Sequence, residues 1–371
     1  MIVICAGTPF DGHRFSERQL ADPLSSLIPV LYVDPPLSVL HSQHRSLSPK
    51  LQQVSHQLWR LIVPTPPGPQ RRLLAGIAGR AMRRALRQAV KEINYDVAAV
   101  LLATTSPLFG VSGEALRVLW GTDDFVAGAK LMGVSARRLR TEERRRLREA
   151  DLALTVSIAL GDRWRAAGVE SRLFLNGVEY DLFSACDETK APEDVVLSPP
   201  IAGYFGHLSE RIDLHLLESV AASGHSLLLV GPCQATFDMS RLDALLRLPN
   251  VQWVRERPMA EMPAYLGLID VGLVPYTDTS FNRASFPLKT LEYLAGGRAV
   301  VSTPLPAIDL LDTDLVTCAA GAKSFANEVG RLLGQHATPD VVARRRSFAQ
   351  THSWQHRAEQ LVELIASAGR S

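Results

Sequence analysis

Residues 270–304, DVGLVPYTDTSFNRASFPLKTLEYLAGGRAVVSTP, constrain this chain more than any other stretch. An apolar run at 271–274 gives way to a polar loop, then to a helix-compatible segment entered near Pro287. The chain leaves that segment at Gly296 and Gly297 and enters a second apolar run at 299–302. Proline suits a first helical turn because its missing N–H would be unpaired there anyway, and glycine suits the position just past a last turn because it has no Cβ to clash. The spacing predicts strand, loop, helix, strand. Such a βαβ unit builds parallel sheets, and its loop lies at the carboxyl edge where open sheets hold ligands.

The loop carries specific chemistry. The turn Ser285, Phe286, Pro287, Leu288 opens onto a helix N-terminus, where backbone N–H groups lack intrahelical partners. Lys289 stands in the first turn and Glu292 about one turn later. These parts fit a diphosphate beside a ribose: N–H groups and the ammonium for phosphate oxygens, the carboxylate for a sugar diol. An ordinary connection with Lys289 and Glu292 in solvent satisfies the same pattern, and the stretch by itself leaves both readings open.

The chain has 371 residues, 46% of them hydrophobic, enough to bury two cores. Cys5, Cys186, Cys233 and Cys318 are far apart with no CxxC, which argues against a zinc knuckle or disulfide framework and fits a reducing cytosol. The start, MIVICAGTPF, reads as a buried strand rather than a leader, and no apolar run is long enough for a membrane span. Residues 1–180 hold 24 Lys and Arg against 16 Asp and Glu, whereas the remainder holds 16 against 22. The basic half is suited to an anionic membrane surface or a phosphate-bearing acceptor. No stacking-aromatic module accompanies it, so nucleic acid is not expected as a partner.

Taken in order, residues 2–5 predict a first strand, followed by a loop with Gly7, Asp11, His13 and Arg14 and a helix from about residue 15. Residues 29–33 predict a second strand; residues 41–70 are hard to assign. The segment 70–93 predicts a basic amphipathic helix. Leu74, Ile77, Ala78, Ala81, Ala85, Ala89 and Ile93 would face inward, and Arg71, Arg72, Arg80, Arg83, Arg84, Arg87 and Lys91 elsewhere, either to water or to anionic lipid. After a strand near 117–120, Asp123 and Asp124 are the best candidates for a catalytic base, and either could instead cap a helix. Adjacent side chains point apart, so the two need not share a role. Residues 136–149 predict a charged surface helix, and Ser157 caps the next one. The polar, proline-rich segment 186–200 predicts a linker. A second domain then opens with a strand at 201–205 and a turn at Gly206 before an amphipathic helix, a phosphate-cradling arrangement. Asp312-Thr313-Asp314 reads as a loop rather than a metal site.

The segment PLKTLEYLAGGRAVVSTPLP resembles the donor-binding signature of GT-B glycosyltransferases, in particular the large retaining (family 4-like) group of bacterial cell-envelope sugar transferases. Members of that group carry two glutamates eight positions apart here; the later matches Glu292, and the earlier position is Ala284. The resemblance covers about 200–310 strongly and 1–36 and 117–184 moderately, with Asn176-Gly177-Val178-Glu179 at the boundary. It implies an α/β chain of GT-B architecture, two Rossmann-like doubly wound domains facing a cleft. The acceptor domain would be 1–184, the linker 185–200 and the donor domain 201–352, with helix 353–371 packed back on the first domain. His207 and Arg211 occupy places the group uses for the diphosphate, and the backbone at Arg255 the place that meets the nucleobase. Gly7, Asp11, His13 and Arg14 would lie on the acceptor side.

The same resemblance implies a cytoplasmic transferase, at most peripheral to the inner face of the membrane. It would move a sugar from a nucleoside-diphosphate sugar, as co-substrate, to a hydroxyl of a lipid-linked or envelope glycan, with no metal or other cofactor. A nucleotide-sugar 2-epimerase of the same fold and a non-catalytic GT-B partner protein are the alternatives.

Overall fold

The computed structural model describes residues 1–12, 14–38, 48–65, 72–129 and 133–369. The chain divides into two compact α/β units, Met1–Asn176 with Trp354–Ser371, and Gly177–Ser353.

The first unit is built on an 8-stranded sheet in the order Arg172–Leu173, Leu152–Thr155, Leu116–Gly121, Ala99–Leu102, Ile2–Cys5, Val30–Val33, Leu58–Ile62, Lys50–Ser55. Every pairing is parallel except the last. The strands are continuous apolar runs because both faces of a parallel sheet are covered. Alternate residues therefore enter different cores. Ile2, Ile4, Tyr32, Leu101 and Trp120 pack with Trp354, Ala358 and Leu361 of helix Trp354–Ala368, while Val3, Cys5, Val100 and Leu102 pack with Met82, Ala85 and Leu86 of helix Arg72–Ile93. Trp354 anchors the carboxyl-terminal helix: its indole N–H donates to Gln19 Oε1 at 2.7 Å, and its ring meets Trp120 edge-on at 6.5 Å.

The second unit has a fully parallel 6-stranded sheet in the order Val251–Val254, Ser226–Val230, Ile201–Phe205, Val271–Val274, Ala299–Ser302, Val316–Cys318. The strands at Val271–Val274 and Ala299–Ser302 flank helix Leu288–Ala295, as the opening pattern predicts.

The structure departs from the sequence reading at several points. The illegible segment contains an antiparallel hairpin, Lys50–Ser55 with Leu58–Ile62, that widens the first sheet; its outer strand is mostly exposed, so it lacks an apolar signature. In the basic helix, Met82 and Leu86 are buried and Ile77 is 52% exposed, so the inward stripe is rotated from the expected one; residues 70–71 and the side chain of Leu74 lie outside the described residues. The first unit ends at Asn176 rather than 184. Helix Tyr180–Ser184 and the turn Ala185–Glu188, expected as domain end and linker, pack in the second unit, where the Phe183 ring stacks on Phe205 at 6.0 Å. The polar loop before Pro287 contains a further helix, Ser280–Ala284, capped by Thr279. Among the described residues no helix is long and apolar enough to cross a membrane.

Candidate active site

Two glycine turns meet at the carboxyl edge of the second sheet. Gly206 ends Ile201–Phe205 at φ +145°, and Gly231 ends Ser226–Val230 at φ +133°. A Cβ on Gly231 would stand 2.2 Å from the carbonyl oxygen of Gly206, and one on Gly206 would stand 2.9 Å from Tyr204 Oη and 3.1 Å from Lys289 Cε. The close approach thus needs glycine twice, and it brings the Lys289 stem against the turn before His207. Tyr204 Oη fixes the turn by donating to the carbonyl of His207 at 3.1 Å; burial pushes this phenol far above its ordinary range, so it stays a donor. His207 itself is exposed.

The loop beyond Gly206 is zipped to the loop that leads to the helix. Asp213 N–H donates to Pro275 O at 2.8 Å and Thr277 N–H to Arg211 O at 2.9 Å, with an antiparallel bridge from Ile212 to Tyr276. Asn282, buried, closes the seam. Its Nδ2 donates to the carbonyls of Arg211 and Thr277 at 3.0 and 2.9 Å, and its Oδ1 accepts from Arg211 Nε at 2.8 Å. The guanidinium of Arg211 lies about 5 Å from the rings of Tyr276 and Phe281 and has no carboxylate in salt-bridge range among the described residues. It is a positioned cation whose charge is left unneutralised. Asn282 is a residue the sequence reading missed; the polar loop TDTSFNRAS offers several amides and hydroxyls, and nothing local singles this one out.

Helix Leu288–Ala295 begins at Pro287 with no side-chain cap. Ser135, Ser157, Asp213, Asp238, Thr279 and Thr338 each cap a helix with a side chain, whereas the helices starting at Ser16, Tyr180, Met262, Pro306 and Ala322 share the uncapped start, so what distinguishes this one is the Gly206 turn beside its lysine. An uncapped N-terminus keeps its N–H groups and positive dipole end available to an anion. Ser285 is buried, with its hydroxyl donating to Phe281 O at 2.9 Å; Phe286 and Pro287 are buried beside it, so this turn contributes backbone and shape rather than free side chains. Lys289 and Glu292 meet each other. Nζ stands 2.9 Å from Oε2 and 5.2 Å above the Phe205 ring, with the Glu292 side chain only 5% exposed. Ala284, where the resembled group has its first glutamate, is buried in helix Ser280–Ala284.

At the next strand end, Cζ of Arg255 lies 3.8 Å from the centre of the Trp253 ring, and the Trp253 indole N–H donates to Gly231 O at 2.9 Å. Arg255 thus shares a contact chain with the Gly206 turn. At Asp312-Thr313-Asp314, Arg344 binds both oxygens of Asp314 at 2.9 and 3.0 Å, consistent with a surface loop.

The first unit has its own cluster of polar residues at the carboxyl edge of its sheet. Gly7 is exposed and its N–H donates to Oε1 of Glu17 at 3.1 Å. Glu17 is 3% exposed; burial raises its carboxyl above the usual range, against the pull of backbone N–H donors, and the neighbouring charge of Asp123 raises it further. Glu17 was not singled out in the sequence, where nothing local marks it. Asp11 pairs with Arg60 at 2.5 Å, and Arg60 also bonds buried Asp34 at 2.9 Å, so Asp11 is part of a structural network. Arg14 pairs with Asp22 at 3.1 Å at the surface, and His13 lies outside the described residues.

The structure separates the two candidate bases. Asp124 is buried and forked to Arg163, Oδ2 to Nε at 3.0 Å and Oδ1 to Nη2 at 3.1 Å, and it also accepts the N–H of Ala127 at 2.9 Å. Arg163 reaches on to Glu143 at 2.8 Å. Both carboxylate oxygens of Asp124 thus have partners in its own unit, and its hold on the Ala127 N–H matches the expected capping role. Asp123 is half-buried and near Glu17.

Two parallel-sheet units with glycine turns at their carboxyl edges define the GT-B class of glycosyltransferase fold. Solved structures of that type superpose over the whole chain. Sucrose-phosphate synthase from Thermosynechococcus elongatus gives a TM-score of 0.70 at 17% identity, covering 99% of this chain and 98% of that one. Anabaena HepE, in complex with UDP and glucose, gives 0.68 at 14% identity, covering 99% of each. Residues 200–335 match the family described as Glycosyl transferases group 1, so the second unit carries a domain of that kind. A teichuronic acid biosynthesis glycosyltransferase of Bacillus subtilis (strain 168), so described by name and designated TuaH, is 34% identical over 187 residues. That alignment covers 48% of this chain and 46% of the relative, just under half of each.

Proposed function

We propose that this chain is a glycosyltransferase that moves a sugar from a nucleoside-diphosphate sugar to a hydroxyl acceptor of a cell-envelope or lipid-linked glycan. One observation carries the reading: Gly206, Lys289 and the uncapped start of helix Leu288–Ala295 converge on one spot, with the Lys289 stem against the glycine turn. A diphosphate there would accept hydrogen bonds from backbone N–H groups and meet two cations, Lys289 and Arg211. Glu292 would receive a ribose diol once Lys289 turns to phosphate. The name of the relative matched over just under half its length supports the envelope acceptor, and UDP in the structure of HepE supports the donor class.

The chemistry asked of these residues is electrostatic. As the bond from sugar to phosphate breaks, negative charge grows on the departing oxygen, and preorganised N–H groups and cations stabilise that charge most strongly at the point where it develops. Arg211 is suited to this task because Asn282 and two aromatic rings hold it without neutralising it. In this reading Asp123 of the first unit is the candidate to take a proton from the acceptor.

A thermal-shift series with UDP, GDP, dTDP and their sugars tests the reading, since ligand that binds only the folded chain raises Tm with concentration. At least one nucleoside diphosphate is expected to raise Tm, in EDTA as well as with divalent cations. No response to any of them would overturn the donor site, and a response that vanishes in EDTA would overturn its independence of metal.

A further inference from the structure

Beside the basic helix of the first unit runs a groove of about 480 Å³. One wall is the hairpin, with Leu51, Leu61 and Val63; the other is the helix, with Ala81, Ala85 and Ala89. The helical lining continues to Glu92, so the groove follows the helix for about three turns, roughly 16 Å at 1.5 Å per residue. Its lining is aliphatic, interrupted at the helix edge by Arg84, Gln88 and Glu92.

Arg84 belongs to a stripe. Arg80, Arg84, Arg87 and Lys91 are exposed and recur at helical spacing, so they share one face, opposite buried Met82, Ala85 and Ala89. None of them has a carboxylate within salt-bridge distance among the described residues, although ion pairs are common on the other arginine-rich surfaces, such as Arg138 with Glu142. Ile77 is 52% exposed on the same face, one heptad before Arg84. An exposed isoleucine within an unneutralised basic stripe, bordering a long aliphatic slot, combines the two attractions that hold a protein on lipid: apolar burial and counter-charge.

We propose that this face is a seat for an anionic membrane lipid, with an alkyl chain in the groove and the headgroup phosphate on Arg84 and its neighbours. The inference deepens the envelope-acceptor reading by naming the surface that would hold the enzyme where such acceptors reside, but its residues belong to the first unit alone. Among the described residues the groove lining offers no aromatic platform, which single-stranded nucleic acid would require for stacking.

The test uses the full chain. Dodecyl phosphate, below its micelle concentration, is expected to raise Tm where inorganic phosphate at equal concentration does not, and the chain is expected to sediment with phosphatidylglycerol vesicles but not with phosphatidylcholine vesicles. Ala81→Phe, which fills the groove, should weaken dodecyl phosphate binding roughly tenfold. R84E/R87E should weaken vesicle binding by at least about tenfold, each cation contributing about 1 kcal/mol near such a surface. If Ala81→Phe fails to fold, Gln88→Phe fills the groove from an exposed position. Equal dodecyl phosphate affinity in the filled variant would overturn the seat. So would binding to heparin or single-stranded DNA with indifference to phosphatidylglycerol. The UDP response is read in parallel: it should survive in these variants, and its absence in the native chain would sink the donor reading while leaving the lipid result to stand or fall by itself.

Discussion

Lys289 Nζ lies 2.9 Å from Glu292 Oε2, so the cation and the acid proposed for opposite ends of a nucleotide hold each other. Binding a diphosphate therefore exchanges one partner of Lys289 for another. Glu292→Gln frees the ammonium and is expected to tighten inorganic pyrophosphate while weakening the nucleoside diphosphate, whose ribose loses a charged acceptor. Lys289→Ala should weaken both, by about 1.5–3 kcal/mol for a hydrogen bond to a charged group. Isothermal titration with the two ligands separates the effects, and parallel loss of both ligands in Glu292→Gln would contradict the exchange.

The glycine turns yield a second expectation. Gly206→Ala places a Cβ 3.1 Å from Lys289 Cε at φ +145°, so it should cost nucleotide affinity together with about 1–3 kcal/mol of stability from backbone strain. Gly231→Ala meets backbone at 2.2 Å and should destabilise more, because a carbonyl cannot swing aside as a side chain can. Thermal denaturation with and without UDP measures both, and a fully stable Gly231→Ala would show that the two turns are not held together.

Asp123 and Asp124 should part company on mutation. Asp124→Asn leaves Arg163 half-neutralised in a mostly buried network, a type of loss that costs about 3–5 kcal/mol when one partner of a buried pair is removed. Asp123→Asn is expected to leave Tm nearly unchanged and to lower sugar transfer, with the larger effect on kcat. If Asp124→Asn is inactive yet as stable as the native chain, the assignment is reversed.

Glu17 predicts a pH signature. Its folded carboxyl is raised by burial, so it holds its proton over a range in which the unfolded chain has already ionised. The stability contributed by that protonated form is fully present below the unfolded glutamate value, about 4.3, and is lost as pH rises through the raised folded value. Glu17→Gln retains an acceptor for Gly7 without the charge, so its Tm relative to the native chain should climb as pH rises above the unfolded glutamate value of about 4.3. A difference that stays flat over that range would place the ionised carboxylate in a better-solvated setting than its burial implies.

Trp354→Ala removes the anchor of the carboxyl-terminal helix from the first unit's core and should cost about 3–5 kcal/mol. Calorimetry that resolves the two units would assign the loss to the first, with the UDP response of the second retained.

The features legible in the residues alone are local and periodic. Apolar runs at 271–274 and 299–302, proline at 287 and the glycine pair at 296 and 297 encode strand, helix start and helix end in consecutive residues, because the backbone preferences of those residue types act over a few positions. The candidate donor helix, its lysine and its acid were legible for that reason. The partners were not, since they come from far along the chain: Asn282 on Arg211, Gly231 against Gly206 and Arg163 on Asp124. The hairpin at 50–62 and the rotated face of the basic helix eluded the pattern because both depend on which surface the rest of the unit leaves uncovered. Burial and charge compensation are properties of packed neighbours, so it took the folded chain to show that Asp124 is forked to Arg163 and that Arg211 has no carboxylate in salt-bridge range among the described residues.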